Sequence, residues 1–320
     1  DSTKAVGRAF KVSFNRPYER SAGAGDFLTW DIHTIRWLER NGVDATYTTD
    51  VDVARAPWLL ENHRVFLDAG HDEYWTLSMR NGVTRARDMG VNLAFLGAND
   101  AYWQARLEAD GAAHPQRTLV CYKASSSSKD PNFSPKLDPM YPAHPEIVTA
   151  QWRDRIVDRP ENSLLGLMYG SYFSSNPRTA PDLILQRNVA SSPLLTKVGL
   201  GTDTRIHAGV LGYEYDTVYN NGLTPQNLVI LAKSPVVNIY RSHETAFSAY
   251  YRAPSGALVF DAGSIWWSYG LDSLSVPGAE EAHPFPADPA ISALTATLLQ
   301  EMLRDPSDSS PSFDLPPIDG

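Results

Sequence analysis

Two segments in the first third of the chain share one pattern, in which an apolar run reaches a glycine, turns polar and ends in a Tyr-Trp pair. They are VFLDAGHDEYW at residues 65–75 and VNLAFLGANDAYW at residues 91–103. The stretch between them, TLSMRNGVTRARDMG, is polar and arginine-rich, which is typical of a helix that ends near Gly90. Strand, helix and strand at this spacing predict two neighbouring parallel strands.

Polar residues follow both predicted strands directly. Because ligands of open α/β sheets bind beyond the carboxyl ends of the strands, we expect these residues to share one rim. The rim would hold His71, Asp72, Glu73, Tyr74, Asn99, Asp100, Tyr102 and Trp103. Such a density of titratable and aromatic side chains indicates a functional site.

The rest of the first half also alternates between strand and helix patterns. Residues 9–14 predict a short strand, and residues 30–40 carry apolar positions at helical spacing that stop at Asn41-Gly42, a typical helix C-terminus. Residues 43–48 predict a further strand. This alternation predicts an α/β fold with a doubly wound, flavodoxin-like sheet.

The second half has a different character. Residues 124–145 are rich in Ser, Pro, Asp and Lys without a hydrophobic period, and they predict a long loop. Short apolar segments follow, including a hairpin pattern around 254–256, and residues 290–304 have a helical period. We therefore expect an α/β core at 1–123, a mostly β insertion or extension at 124–305 that completes the same domain, and a tail at 306–320.

Charge and cysteine content narrow the classes of protein. The net charge of -9 argues against a nucleic-acid-binding surface. No apolar run approaches the roughly 20 residues that a membrane helix needs, so we expect no membrane insertion. The one cysteine, Cys121, lies in the apolar run RTLVCYK, where we expect a small buried strand residue rather than a nucleophile, a disulfide or a zinc ligand. Nothing in the sequence predicts an oligomeric state.

Several motifs between Lys11 and Asp272 resemble a known family. They include NRPY, GHDEYW, GANDAYW, QWRD, PENSLLG, LGYEYD and SGALVFDAGSIWWSYGLD. These stretches are similar to the carboxyl-terminal domain of the large (beta) subunit of N,N-dimethylformamidase, and especially to its actinobacterial relatives, in which the domain often occurs in exported proteins. The resemblance implies a glutamine-amidotransferase-like fold and a secreted mature protein, with a cytoplasmic location as the alternative.

The resemblance also implies a cofactor, a mononuclear ferric ion held by two tyrosines and a glutamate. On the matching motifs, Tyr74 corresponds to one tyrosine, Glu146 to the glutamate and His144 to a histidine two residues before it. The second tyrosine has no assigned counterpart, and a catalytic glutamate late in the family's domain corresponds to Glu244. A phenolate is a hard anionic oxygen donor that suits Fe(III), which supports Tyr74 as a ligand.

The residues of the rim suggest further roles of their own. Gly97 and Asn99 predict a sharp turn after a strand, the geometry of a nucleophile elbow, but Asn or Asp stands where an amidotransferase has its cysteine. A thiol mechanism is therefore not expected. His71 can act as a base or a ligand, Asp72 as a base or a helix N-cap, and Asp100 as a general base, a ligand or a substrate anchor.

Three functions are consistent with these features. The first is a hydrolase of the dimethylformamidase class, in which a metal or a carboxylate activates water against an amide-type carbon. Its catalytic candidates are His71, Asp72, Asp100 and Glu244, and its substrate-binding candidates are Tyr18, Asn99, Tyr102, Trp103 and Glu214. The second is a glycoside hydrolase that uses paired carboxylates and aromatic stacking, and the third is a non-catalytic binding module. The expected partner is a small-molecule or glycan substrate.

Overall fold

The computed structural model of the chain describes residues 7–18, 23–173, 176–186, 198, 200, 204–207, 209–275 and 284–304. Its α-helices include α1 (Ile32–Arg40), α2 (Asp50–Arg55), α3 (Leu77–Asp88) and α4 (Pro289–Leu303). Its strands are β1 (Lys11–Ser13), β2 (Val65–Gly70), β3 (Tyr74–Thr76), β4 (Asn92–Gly97), β5 (Trp103–Glu108), β6 (Thr118–Val120), β7 (Met168–Tyr172), β8 (Leu183–Ile184), β9 (Arg205–Ile206), β10 (Glu214–Thr217), β11 (Val229–Val237), β12 (His243–Arg252) and β13 (Leu258–Asp261).

The largest sheet has five strands in the order β11-β12-β13-β4-β2. Strands β2 and β4 pair in parallel from Val65 opposite Asn92 to Gly70 opposite Gly97, and β13 continues the parallel part on the other side of β4. Helix α3 connects β2 to β4 and begins at an N-cap, Thr76, whose hydroxyl accepts a hydrogen bond from the Met79 amide. The predicted pair of parallel strands is confirmed.

Helices cover both faces of this sheet because successive side chains of a strand point to opposite sides. On one face, Leu96 packs in a cluster that includes residues of α1 and α4, such as Trp37 and Leu294. On the other face, Phe95 packs in a cluster that includes Met79 of α3. The molecule thus has a mixed α/β fold with several sheets and few helices, while the flavodoxin-like doubly wound order stays a prediction.

A second sheet, in the order β1-β6-β5-β3, explains the repeated Tyr-Trp pair. Each apolar run forms a strand of the large sheet, and the residues after it enter a strand of the second sheet. Strands β3 and β5 pair in parallel, with Tyr74 opposite Trp103. The polar residues that follow each run therefore bridge the two sheets at one edge.

The second half is rich in strands, as predicted. Strands β12 and β13 form the hairpin around residues 254–256, residues 124–145 contain short 3-10 turns and no strand, and α4 matches the predicted helix. The predicted tail at 306–320 lies outside the described residues. No helix among the described residues is long and apolar enough to cross a membrane.

Two local predictions are wrong. Residues 43–48 form no strand; the Val43 amide bonds to Leu38, and the Tyr47 hydroxyl donates to Glu39, so this segment folds back on α1 instead of joining a sheet. Asp72 is not the N-cap of α3, because β3 separates it from the helix and Thr76 takes that role.

Candidate active site

The site begins where β2 and β4 end side by side. A Cβ atom on Gly97 would lie 2.3 Å from the Gly70 carbonyl oxygen, so the close approach of the two strand ends requires glycine there. Just beyond, Asn99 and Ala101 have φ values of 60° and 50°. Asparagine tolerates this left-handed region, and the sharp turn predicted after β4 is confirmed.

His71 is held between two carboxylates at this edge. Its Nε2 lies 3.5 Å from Oε2 of Glu214 and 3.8 Å from Oε2 of Glu73, and its Nδ1 lies 3.3 Å from the Ala98 carbonyl oxygen. Burial alone would lower the pKa of His71, but the charges of Glu214 and Glu73 outweigh it and the pKa is raised. The imidazole is therefore biased toward its protonated form.

Asn99 connects the rim to a strand from the second half of the chain. Its backbone amide donates to Asp216 at 2.9 Å, and its side-chain amide donates to Oε2 of Glu214 at 3.0 Å. Burial raises the pKa of Glu214, while His71 and Asn99 oppose that effect. Glu214 is thus a largely buried carboxylate with a fixed orientation. Its strand, β10, lies beside the rim, which brings the carboxylate to the site.

Several aspartates lie at the rim and near it, and Asp68, Asp100, Asp216 and Asp261 among them are buried. Oδ1 of Asp100 accepts a hydrogen bond of 3.1 Å from the Asp72 amide, and burial raises the pKa of Asp100 to about 7. Burial also raises the pKa values of Asp68, Asp72, Asp216 and Asp261 well above the usual range. Because neighbouring buried carboxylates cannot all ionise, these aspartates hold protons near neutral pH.

Aromatic rings and one lysine form the wall on the β3–β5 side. Nζ of Lys123 lies 5.2 Å from the centre of the Tyr74 ring and 5.1 Å from that of Trp103. Tyr102 packs edge-on against Trp103, and its hydroxyl accepts a hydrogen bond of 2.7 Å from the Gln151 side chain. The predicted rim residues are therefore brought together, with Lys123 beside them.

A cavity of about 170 Å³ opens on the side of the rim that carries residues 71–74. His71, Asp72, Glu73 and Tyr74 line one side, and Leu107 and Leu119 of the second sheet, with Phe14 just after β1, line another. A water molecule occupies about 30 Å³ in the liquid, so this space holds a compound of a few non-hydrogen atoms. The cavity suits a small molecule better than an extended polymer.

Two further predicted site residues, Glu244 and Tyr18, have their own contacts. Glu244 accepts hydrogen bonds from the Tyr215 hydroxyl at 2.6 Å and from the Asn238 side chain at 2.7 Å. Because Tyr215 and Glu214 are consecutive on a strand, they face opposite ways, and Glu244 lies on the Tyr215 side. Tyr18 lies in the loop after β1, where the Arg16 guanidinium covers its ring at 4.5 Å.

Two of the predicted metal ligands, His144 and Glu146, lie in an exposed turn. His144 and Glu146 have side chains that are 61% and 58% exposed and contact each other at 3.4 Å. Their turn is anchored by Gln104, whose side chain donates to the Glu146 carbonyl and points to the face of β5 opposite Trp103 and Tyr74. Among the described residues, no group of three or more His, Cys, Asp or Glu side chains could hold a metal ion.

This arrangement does not fit the implied ferric site. The Lys123 ammonium lies next to the Tyr74 ring. Its positive charge would repel a ferric ion bound to the Tyr74 phenolate. A ferric ion bound by Tyr74, His144 and Glu146 remains a prediction of the resemblance.

Two residues of the site, Lys123 and Tyr169, were not predicted from the sequence; Tyr169 packs edge-on against Tyr102 at 5.1 Å. One signal was available for Lys123. It follows the apolar run of β6, as His71 and Asn99 follow the runs of β2 and β4. No comparable signal marks Tyr169, one of the two tyrosines of β7.

Fold and site together define a mixed α/β protein with an acidic, aromatic cavity where two parallel strands end. The model of the family described as N,N-dimethylformamidase beta subunit-like, C-terminal, matches residues 1–282. The chain belongs to this family, and the resemblance stated from the motifs is confirmed. No curated protein matches the chain.

Proposed function

We propose that the protein hydrolyses small amides, with Glu214 as the base and His71 as the acid. The family's description points to amide hydrolysis. The observation that carries the proposal is the placement of His71 Nε2 between Glu214 and Glu73, next to the cavity. A positioned acid and base within reach of a small cavity are what hydrolysis of a compact amide needs.

The chemistry follows from these two groups. Glu214 accepts a proton from water as the water oxygen bonds to the amide carbon, and the carbonyl electron pair moves onto the carbonyl oxygen. Protonated His71 then gives its Nε2 proton to the amide nitrogen as the carbon–nitrogen bond breaks. The products are a carboxylic acid and an amine. Glu73 assists by keeping His71 protonated.

The glycoside-hydrolase alternative has weaker support. It relies on Asp72 and Asp100 beside Glu214. A raised pKa suits a general acid, but Oδ1 of Asp100 already accepts a hydrogen bond from the Asp72 amide. A cavity of about 170 Å³ also leaves little room for a sugar ring with its neighbours. Asp72 and Asp100 are better explained as residues that orient the rim, since the Asp72 amide bonds to Asp100.

The test is a panel of small formamides and acetamides, including N,N-dimethylformamide, with acid and amine measured by NMR. We expect turnover by the native protein and a loss of about 100-fold or more in Glu214→Gln. The exposed Glu39→Gln is the matched control and should keep native activity. Equal rates in Glu214→Gln and the native protein would refute the assignment.

Two further implications of the family resemblance belong to this proposal. One is the glutamine-amidotransferase-like, doubly wound order of the sheet, and the other is secretion of the mature protein. The first is compatible with an α/β core whose parallel strands end at the site. Protein detected in the culture medium of the native host would support secretion, and retention in the cytoplasm would oppose it.

A further inference from the structure

Lys123 is a buried cation without a carboxylate partner among the described residues. It is 8% exposed, and no ion pair joins its Nζ to an acidic side chain in the described ranges. Lysine is rarely buried unless it is paired. Its φ of 51° places the backbone in the left-handed region, which is unfavourable for a side chain of this size. Local strain of this kind is concentrated at functional sites.

The position of the ammonium group is set by two aromatic rings. Tyr74 and Trp103 are register partners on β3 and β5, and Nζ lies just over 5 Å from both ring centres, at 5.2 Å and 5.1 Å. Cation–π contacts orient the ammonium, and no acceptor for its three N–H donors is present among the described residues. Burial raises the pKa of Glu214, and the charge of Lys123 is among those that oppose this effect. Tyr74, beside the ammonium, lines the cavity.

We propose that Lys123 binds the carbonyl oxygen of the amide and the negative charge that forms on it during attack by water. This inference rests on the proposed hydrolase function and adds the group that the mechanism above lacks. When water bonds to the amide carbon, the electron pair of the carbonyl moves to oxygen. The Lys123 ammonium stabilises that oxyanion without transferring a proton, and the carboxylate product then occupies the same position.

The inference also restricts the class of substrate. A buried ammonium at the carbonyl position attracts oxygen-bearing neutral or anionic compounds and repels cationic ones. We therefore expect neutral amides and amides with a carboxylate substituent to react faster than amides that carry an amino group.

The test uses Lys123→Met, which keeps an apolar stem between the two rings, and Lys123→Arg, which keeps the charge. Lys129→Met, at an exposed position, is the matched control. Two properties are measured for each protein. The first is the pair of kinetic constants, kcat and KM, with the amide that the native protein hydrolyses fastest. The second is the affinity for formate, measured by calorimetry. We expect Lys123→Met to lower kcat at least about 100-fold and to weaken formate binding about tenfold. Lys123→Arg should keep part of the activity and part of the formate affinity. Lys129→Met should keep native values of both.

The outcomes separate this inference from the hydrolase assignment. Unchanged kcat and unchanged formate binding in Lys123→Met would overturn the role of Lys123 even if the native protein hydrolyses amides. Formate binding that disappears in Lys123→Met, without any amide turnover by the native protein, would support the Lys123 site and refute the hydrolase. A native protein that neither binds formate nor hydrolyses amides would refute both. A thermal melt of each variant shows whether a loss reflects unfolding.

Discussion

Nε2 of His71 lies 3.5 Å from Oε2 of Glu214, although the two residues belong to different halves of the chain. His71 follows β2 of the large sheet, and Glu214 begins β10 in the strand-rich second half. The turn after β4 contacts both residues, because the Asn99 side chain donates to Glu214 and the carbonyl oxygen of the preceding residue, Ala98, lies 3.3 Å from His71 Nδ1. The candidate site is therefore formed by both halves of the chain.

The rate of hydrolysis should follow a bell-shaped dependence on pH. Glu214 must be ionised to act as a base, so activity falls as the pH drops through its raised pKa. His71 must be protonated to act as an acid, so activity falls as the pH rises through its raised pKa. We expect His71→Gln to lose the alkaline limb of the profile of kcat/KM. A native profile that is flat from acid to alkaline pH would contradict both assignments.

Asp100→Asn should stabilise the protein at alkaline pH. The folded-state pKa of Asp100 is raised from 3.8 to about 7, so the folded protein binds this proton more tightly than the unfolded chain does. Stability therefore falls as the pH rises between these values, and asparagine removes that loss while keeping an acceptor for the Asp72 amide. Urea unfolding at pH 8 should show a gain of at least about 1 kcal/mol. A gain of the same size at pH 4 would contradict this explanation.

Cys121 should be inert toward thiol reagents in the folded protein. The residue is buried, and burial raises the pKa of its thiol to about 12, so almost no thiolate is present at neutral pH. We expect labelling by a disulfide reagent to be at least about 100-fold slower than in urea, with no effect on amide turnover. Rapid labelling that abolishes turnover would reopen a thiol mechanism.

Tyr74→Phe should leave the iron content of the purified protein unchanged. The Lys123 ammonium lies beside the Tyr74 ring, while His144 and Glu146 have largely exposed side chains that contact each other. Elemental analysis and the visible spectrum of both proteins are the measurements. A phenolate-to-iron absorption band in the native protein that disappears in Tyr74→Phe would show that the ferric site of the resemblance is retained.

The sequence predicts the part of the site that depends on local pattern. An apolar run, a glycine and polar residues are sufficient to place His71 and Asn99 at neighbouring strand ends, because parallel strands that a helix connects end on the same side. Contacts between segments that are far apart in the sequence are harder to predict from it. The sequence does not show which side of β10 faces the rim. Glu214 points to the rim side and contacts Asn99, whereas the next residue, Tyr215, points the other way and bonds to Glu244 on β12.

Backbone conformation and local packing explain why Lys123 and residues 43–48 were not predicted correctly. Lys123 reaches the rings only through a left-handed residue, and no residue-type preference predicts that conformation for lysine. Residues 43–48 have the alternation of a strand, but α1 provides their contacts and no strand pairs with them. Alternation predicts a half-exposed segment more reliably than it predicts a hydrogen-bonded strand.

The most direct test of the His71–Glu214 pair is a double-mutant cycle on kcat/KM, with His71→Gln, Glu214→Gln, the double variant and exposed His114→Gln as control. Residues that act as one unit give non-additive losses. We predict that each single variant loses about 100-fold or more and that the double variant loses little beyond the worse single one. Losses that multiply in the double variant, or a single variant with native activity, would contradict the account.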